Sequence, residues 1–154
     1  EQLIKHQKGG KIEMEKDCGI WISILSHKLK NRMNEKMQSL GLTGVQSRVL
    51  HYILEKCADG QVFQRDIENA FGLSRSTATA ILQLMEKNDL IQRKSVENDA
   101  RLKRLVPTEK AAQLDAQVCA YLHQTEMCLT EGLTPTQLET FMLIAEHMFE
   151  NLNK

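Results

Sequence analysis

The sequence predicts a mainly α-helical fold carrying one small β-hairpin, and three observations predict it. Apolar residues recur at steps of three and four over most of the chain. Proline occurs only twice, as Pro107 and Pro135, each beside a threonine. One stretch alone, Arg93 to Val106, is β-permissive on both sides of a turn-forming segment.

The elements follow in order. Trp21, Leu25, Leu29, Met33, Met37 and Leu40 form one helical stripe, and Gly41 supplies a left-handed stop. Thr43 opens the next helix with Gln46 three positions on, the spacing of a capping box. Val45, Val49, Leu50, Ile53 and Leu54 carry that helix to about Lys56, before Asp59-Gly60 turns the chain. A short helix, Gln64 to Ala70, directs Ile67 and Phe71 inward and breaks at Gly72-Leu73. Ser74 caps a longer helix through Asn88, with Ala78, Ile81, Leu82 and Met85 on one face. Two helices across a tight glycine-containing break are the sequence form of a helix-turn-helix.

After Leu90-Ile91 the pattern changes. Arg93 to Val96 and Leu102 to Val106 read as two strands, joined through Glu97-Asn98-Asp99-Ala100, and Pro107-Thr108 ends the pairing. Helix, helix, turn, helix, hairpin is a winged helix-turn-helix. Two long helices finish the chain. One carries Leu114, Val118, Leu122, Thr125 and Leu129; the other starts at Thr134 with Pro135 in its first turn and Gln137 completing a capping box. Its apolar positions are Leu138, Phe141, Met142, Ala145, Met148, Phe149 and Leu152. Such seams suit helix-on-helix packing within or between chains. The expected organisation is a polar tail or helix lead-in over 1–11 and an N-terminal dimerisation helix over 12–40. A winged helix-turn-helix lobe over 41–107 and C-terminal dimerisation helices over 108–154 complete it.

Composition narrows the function. The 154 residues are 42% hydrophobic and 26% charged, a balance that excludes a disordered chain. Twenty Lys and Arg against twenty Asp and Glu exclude a simple polycation, so any nucleic-acid face must be local. No apolar run approaches a membrane span, and none at the start reads as a secretory leader. Cys18, Cys57, Cys119 and Cys128 lie far apart with no Cys-x-x-Cys pair, which fits a reducing, cytoplasmic setting.

The chemistry gathers on the second helix of the helix-turn-helix and on the hairpin. Opposite the apolar face, the helix capped by Ser74 offers Arg75, Ser76, Thr77, Thr79 and Gln83. Arg75 suits guanine bidentately and Gln83 suits adenine, while Ser74, Ser76 and Thr77 sit at a helix N-terminus that attracts phosphate. A solvated polar face is the plain alternative. The hairpin weighs against it: Arg93, Lys94, Arg101, Lys103 and Arg104 stand against only Glu97 and Asp99. Arg101, at the tip, suits a narrow minor groove. Asp99 would hold a neighbouring arginine in a fixed pose and so structure the wing. Arg93, Lys94, Lys103 and Arg104 would hold phosphate.

These residues resemble the MarR family of winged-helix regulators from Gly41 to Ala112. The matching pieces are Leu42-Thr43-x-x-Gln46, Leu73-Ser74-x-Ser76-Thr77 and Met85-Glu86-Lys87-x-x-Leu90-Ile91-x-Arg93. The most specific is Asp99-Ala100-Arg101 followed by Leu105-Val106-Pro107-Thr108-Glu109-Lys110. The resemblance implies a homodimer that binds a pseudo-palindromic operator on double-stranded DNA, usually as a repressor. It also implies release on binding a small-molecule effector, whose contact residues the sequence does not name. Three positions depart from the pattern: Ala80 where a basic residue is frequent, Asp89 where a glycine caps the helix, and Ala111 where a glycine follows the wing.

Other functions find less support. Cys18 lies near the position where peroxide-sensing relatives keep a reactive cysteine, but Gly19 occupies the matching place, and Lys16 is the only nearby cation in sequence. Cys119 and His123 share a helical face four residues apart, and His27, His51 or His147 could join them after folding. Two ligands do not make a metal site, and none is expected. No phosphate loop, paired-histidine motif or nucleophile with an evident base supports an enzyme, and no cofactor is expected. A winged-helix adaptor that docks proteins and not DNA is the rival from another class.

Overall fold

A computed structural model describes residues 17–96 and 99–154, the side chains of residues 99–101 excepted. The order is α1 (Cys18–Ser39), α2 (Gly44–Asp59), β1 (Val62–Phe63), α3 (Gln64–Phe71), α4 (Arg75–Lys87), β2 (Ile91–Val96), β3 (Asp99–Pro107), α5 (Glu109–Thr130) and α6 (Pro135–Leu152). The helices and the hairpin fall along the predicted stretches with shifted bounds, and β3 starts at Asp99, inside the expected turn. Two compact units divide the chain, Glu1–Gly44 and Val45–Lys154.

In the first unit, Asp17 caps α1 by accepting from the Gly19 N–H at 2.9 Å. The predicted tail, and residues 12–16 of the predicted helix, lie outside the described residues. Gly41 takes φ +71°, so the Gly41 and Leu42 N–H groups reach back to the Gln38 and Met37 carbonyls at 3.0 and 2.9 Å. That is a Schellman stop, and its apolar companions Met37 and Leu42 are both buried.

In the second unit, α2 runs three residues beyond the expected Lys56, to Asp59. The core is made by Val49, Leu50 and Ile53 of α2, Ile67 of α3, Ala78, Leu82 and Met85 of α4, and Ile91 and Leu105 of the strands. Ala111 and Val118 of α5 are buried as well. Phe71, expected inward, is half-buried and sits edge-on to Tyr52 at 5.7 Å.

The sheet has three antiparallel strands in the order β1-β3-β2, where the sequence predicts two. The missed strand, Val62–Phe63, pairs with Leu105 and Arg104. Two residues are too short to show alternation. The hairpin proper is also longer than expected: Ile91 pairs with Pro107, and the register shifts between Ser95 and Val96. Proline is tolerated there because it closes the ladder.

The α4 helix ends on a second Schellman stop. The Asp89 and Leu90 N–H groups donate to the Glu86 and Met85 carbonyls at 3.0 and 2.9 Å. Asp89 holds φ +59°, the left-handed conformation that glycine adopts without strain. The Thr108 hydroxyl donates to its carbonyl at 2.7 Å, which ties the helix stop to the start of α5. Thr108 and Thr134 cap α5 and α6, and Gln137 completes the predicted capping box.

Candidate nucleic-acid interface

The outward face of α4 begins at its cap. Ser74 Oγ accepts from the Thr77 N–H at 3.2 Å and exchanges hydroxyl hydrogen bonds with Ser76 and Thr77 at 3.0 and 2.8 Å. Three hydroxyls therefore cluster at the positive end of the helix. Arg75, Ser76, Thr77, Ala80 and Gln83 are exposed. Thirteen residues make a rod of about 20 Å.

Thr79 is placed differently from its neighbours. It is half-buried, its hydroxyl donates to the Arg75 carbonyl at 2.8 Å, and it accepts from Gln64 Nε2 at 2.8 Å. The same amide of Gln64 reaches Glu68 at 2.9 Å. Thr79 thus joins α4 to α3 and does not present a free hydroxyl. Gln64 carries no helical-stripe or charge signal, which is why the sequence does not single it out.

Strand alternation divides the cations of the hairpin. In an antiparallel pair, directly opposed residues share a face. Arg93 lies opposite Leu105 and Ser95 opposite Lys103, while Lys94 lies opposite Arg104. Lys94 and Arg104 therefore share one face, and Arg93 and Lys103 the other. Arg93 is half-buried: its backbone N–H donates to Glu86 Oε1 at 3.3 Å, and its guanidinium Nε pairs by charge with Glu86 Oε2 at 3.5 Å. It braces the hairpin on α4. Lys103 is exposed and donates through Nζ to the Ser95 hydroxyl. Lys94 is exposed and Arg104 half-buried. The side chains of Asp99 and Arg101 lie outside the described residues.

A second constellation shares none of these residues and lies in a cavity of about 330 Å³ lined by residues of α2, α3 and α5. His51 Nδ1 sits 3.0 Å from Asp115 Oδ2, and the Cys119 thiol lies 4.0 Å from that nitrogen and 3.8 Å from that oxygen. Burial pushes the Cys119 thiol up, and the neighbouring Asp115 carboxylate adds to the shift by its charge and by accepting a hydrogen bond. His123 is exposed and is not part of the group. The sequence interval of 68 residues between His51 and Cys119 hides the pairing.

The MarR family model matches residues 40–102, from just after α1 into β3. The solved transcription regulator MarR from Oenococcus oeni is 31% identical, covering 87% of this chain and 99% of that one, at a TM-score of 0.58. The chain belongs to the MarR family. MepR, a transcription regulator of the Staphylococcus aureus multidrug efflux pump MepA, shares the fold at a TM-score of 0.77 and 21% identity, covering 88% of this chain and 98% of that one. A MepR–DNA complex matches at 0.65 and 22%, with 88% and 96% covered. This MarR-family chain is thus a transcription regulator by family.

Two departures from the MarR pattern now have a physical account. Asp89 fills the glycine position by adopting the left-handed conformation itself. Ala111 is buried, and its N–H donates to the capping Thr108 hydroxyl at 3.2 Å, so a methyl group there packs without loss of the cap.

Proposed function

We propose that two copies of this chain bind a pseudo-palindromic operator on double-stranded DNA and repress transcription until an effector arrives. The observation that carries the reading is the exposed row Arg75, Ser76, Thr77 and Gln83 on a helix braced from behind by Gln64 and Thr79. A major groove admits such a helix. Arg75 and Gln83 would read base edges. Ser74 and Thr79, whose hydroxyls are engaged inside the motif, would position the helix.

The wing supports the same reading. Lys94 and Arg104 face each other across the strand pair. Like charges so placed repel, and a phosphate between them removes that cost. Lys103 would add a phosphate contact from the opposite face. Arg101 would enter the minor groove, with Asp99 holding the tip in shape. Arg93 would act through Glu86 by fixing the angle of the wing.

Dimerisation is supported by α6, which buries none of its side chains while Phe141 and Phe149 are 59% and 67% exposed. Apolar residues in that number on one helix mark an association surface. A two-fold pair would set two α4 helices about one helical turn of DNA, roughly 34 Å, apart. In this reading Tyr52, Phe71, Val118 and Leu122 of the 330 Å³ cavity offer an apolar wall to a small-molecule effector. No helix among the described residues is long and apolar enough to cross a membrane, and a cytoplasmic setting follows from action on DNA. Selection of duplexes from a random pool, followed by a salt titration on the selected sequence, tests the proposal.

A further inference from the structure

We propose that His51, Asp115 and Cys119 form a binding site for a divalent metal ion of the zinc class. Three donors of different chemistry, an imidazole nitrogen, a carboxylate oxygen and a sulfur, converge within 4.8 Å of one another. Among the described residues no other group of three such donors is brought together. The mixed set suits zinc, which takes nitrogen, oxygen and sulfur ligands, and does not suit magnesium or calcium, which take oxygen.

The distances bear this out. A tetrahedral zinc ion lies about 2.3 Å from sulfur and about 2.0–2.1 Å from nitrogen and oxygen, which separates its donors by about 3.3–3.6 Å. The three pairs here stand at 3.0, 3.8 and 4.0 Å. Binding would draw the sulfur closer to both partners and move the imidazole and carboxylate slightly apart. Asp115 and Cys119 stand one turn apart on α5, so both project from one helical face toward His51 on α2. Ligands borne on facing helices are the usual way a helical protein builds a metal centre.

The environment is compatible with the charge. Glu55, one turn from His51 on α2, lines the same cavity, as does Arg48, so the lining adds one charge of each sign. Asp115 is 15% exposed and His51 57% exposed, so the ion has both a sheltered anionic ligand and a path from solvent. Three protein ligands leave the fourth position to water. Bound there, the ion would join α2 to α5 within the second unit. The site deepens the effector half of the proposed function and rests on it only for regulation; ion binding itself is independent of DNA.

Cobalt(II) titration of the reduced full-length chain tests the site without any duplex present. The expected result is one ion per chain, a thiolate-to-cobalt charge-transfer band, and displacement of that band by zinc. Cys119→Ser removes the band, whereas Cys18→Ser, Cys128→Ser and His123→Ala keep it. His51→Ala and Asp115→Asn weaken cobalt binding by about tenfold or more. Zinc raises the thermal midpoint of the unaltered chain and leaves that of Cys119→Ser unchanged, a readout that also shows the variant to be folded. A band that survives Cys119→Ser, a band lost in His123→Ala, or no band in the unaltered chain overturns the proposal.

Discussion

Gln64 Nε2 donates to the Thr79 hydroxyl across 2.8 Å and reaches the Arg75 carbonyl at 3.4 Å, so a polar clasp joins the first helix of the helix-turn-helix to the second. Thr79→Val keeps the shape of the side chain and deletes both of its hydrogen bonds. The variant should lose about 1 kcal/mol of stability, read from the urea midpoint. In the proposed function it also weakens duplex binding while leaving base preference intact. An unchanged midpoint would remove Thr79 from its positioning role.

Asp89 carries a left-handed backbone conformation that L residues adopt at a cost, beside the negative end of α4. Asp89→Gly keeps both hydrogen bonds of the helix stop and relieves that strain. It should raise stability by about 1 kcal/mol. A lowered midpoint would mean that the Asp89 side chain contributes more than its backbone costs.

Arg101 and Gln83 have different parts in the proposed complex, and their variants should differ accordingly. Arg101→Ala weakens binding by a similar factor on every duplex and reduces the salt slope by about 1. Gln83→Ala instead relaxes preference at a single base, by about 1–3 kcal/mol. Parallel titrations on the selected duplex and its point variants distinguish the two. Equal losses on all duplexes for Gln83→Ala would exclude base reading by that residue.

Much of this architecture is legible in the sequence because its signals are local. The α4 stripe of Ala78, Leu82 and Met85, the Ser74 cap and the Thr134–Gln137 box lie within one or two turns of the residues they act on. The two-residue β1 is not legible, since its existence depends on pairing with β3 some forty positions away. The outward row of α4 is legible from helical period alone. That Thr79 leaves the row, and that Arg93 turns onto Glu86, depends on where α3 and the hairpin come to rest. Cys119 and His123 share a helical face in sequence, but His123 stays exposed and apart from the group that forms around Cys119. Asp115, also four residues from Cys119, is the residue that the fold brings beside His51.

The exposed face of α6 carries the proposed association. Phe141 and Phe149, eight residues apart, fall on one side of the helix. Phe141→Glu combined with Phe149→Glu should convert the protein to single chains at micromolar concentration, by sedimentation velocity. Helical content should be retained, because neither ring is buried within the chain. A dimer unaffected by both changes would place the interface elsewhere.

In the proposed complex, paired copies grip duplex DNA through α4 and a basic wing. Fluorescence anisotropy of the selected duplex, titrated with protein at several salt concentrations, tests it most directly. The account predicts two chains per inverted repeat, weaker binding to a single half-site, and an affinity that falls steeply as salt rises. Binding to no duplex, or binding indifferent to salt, would contradict it.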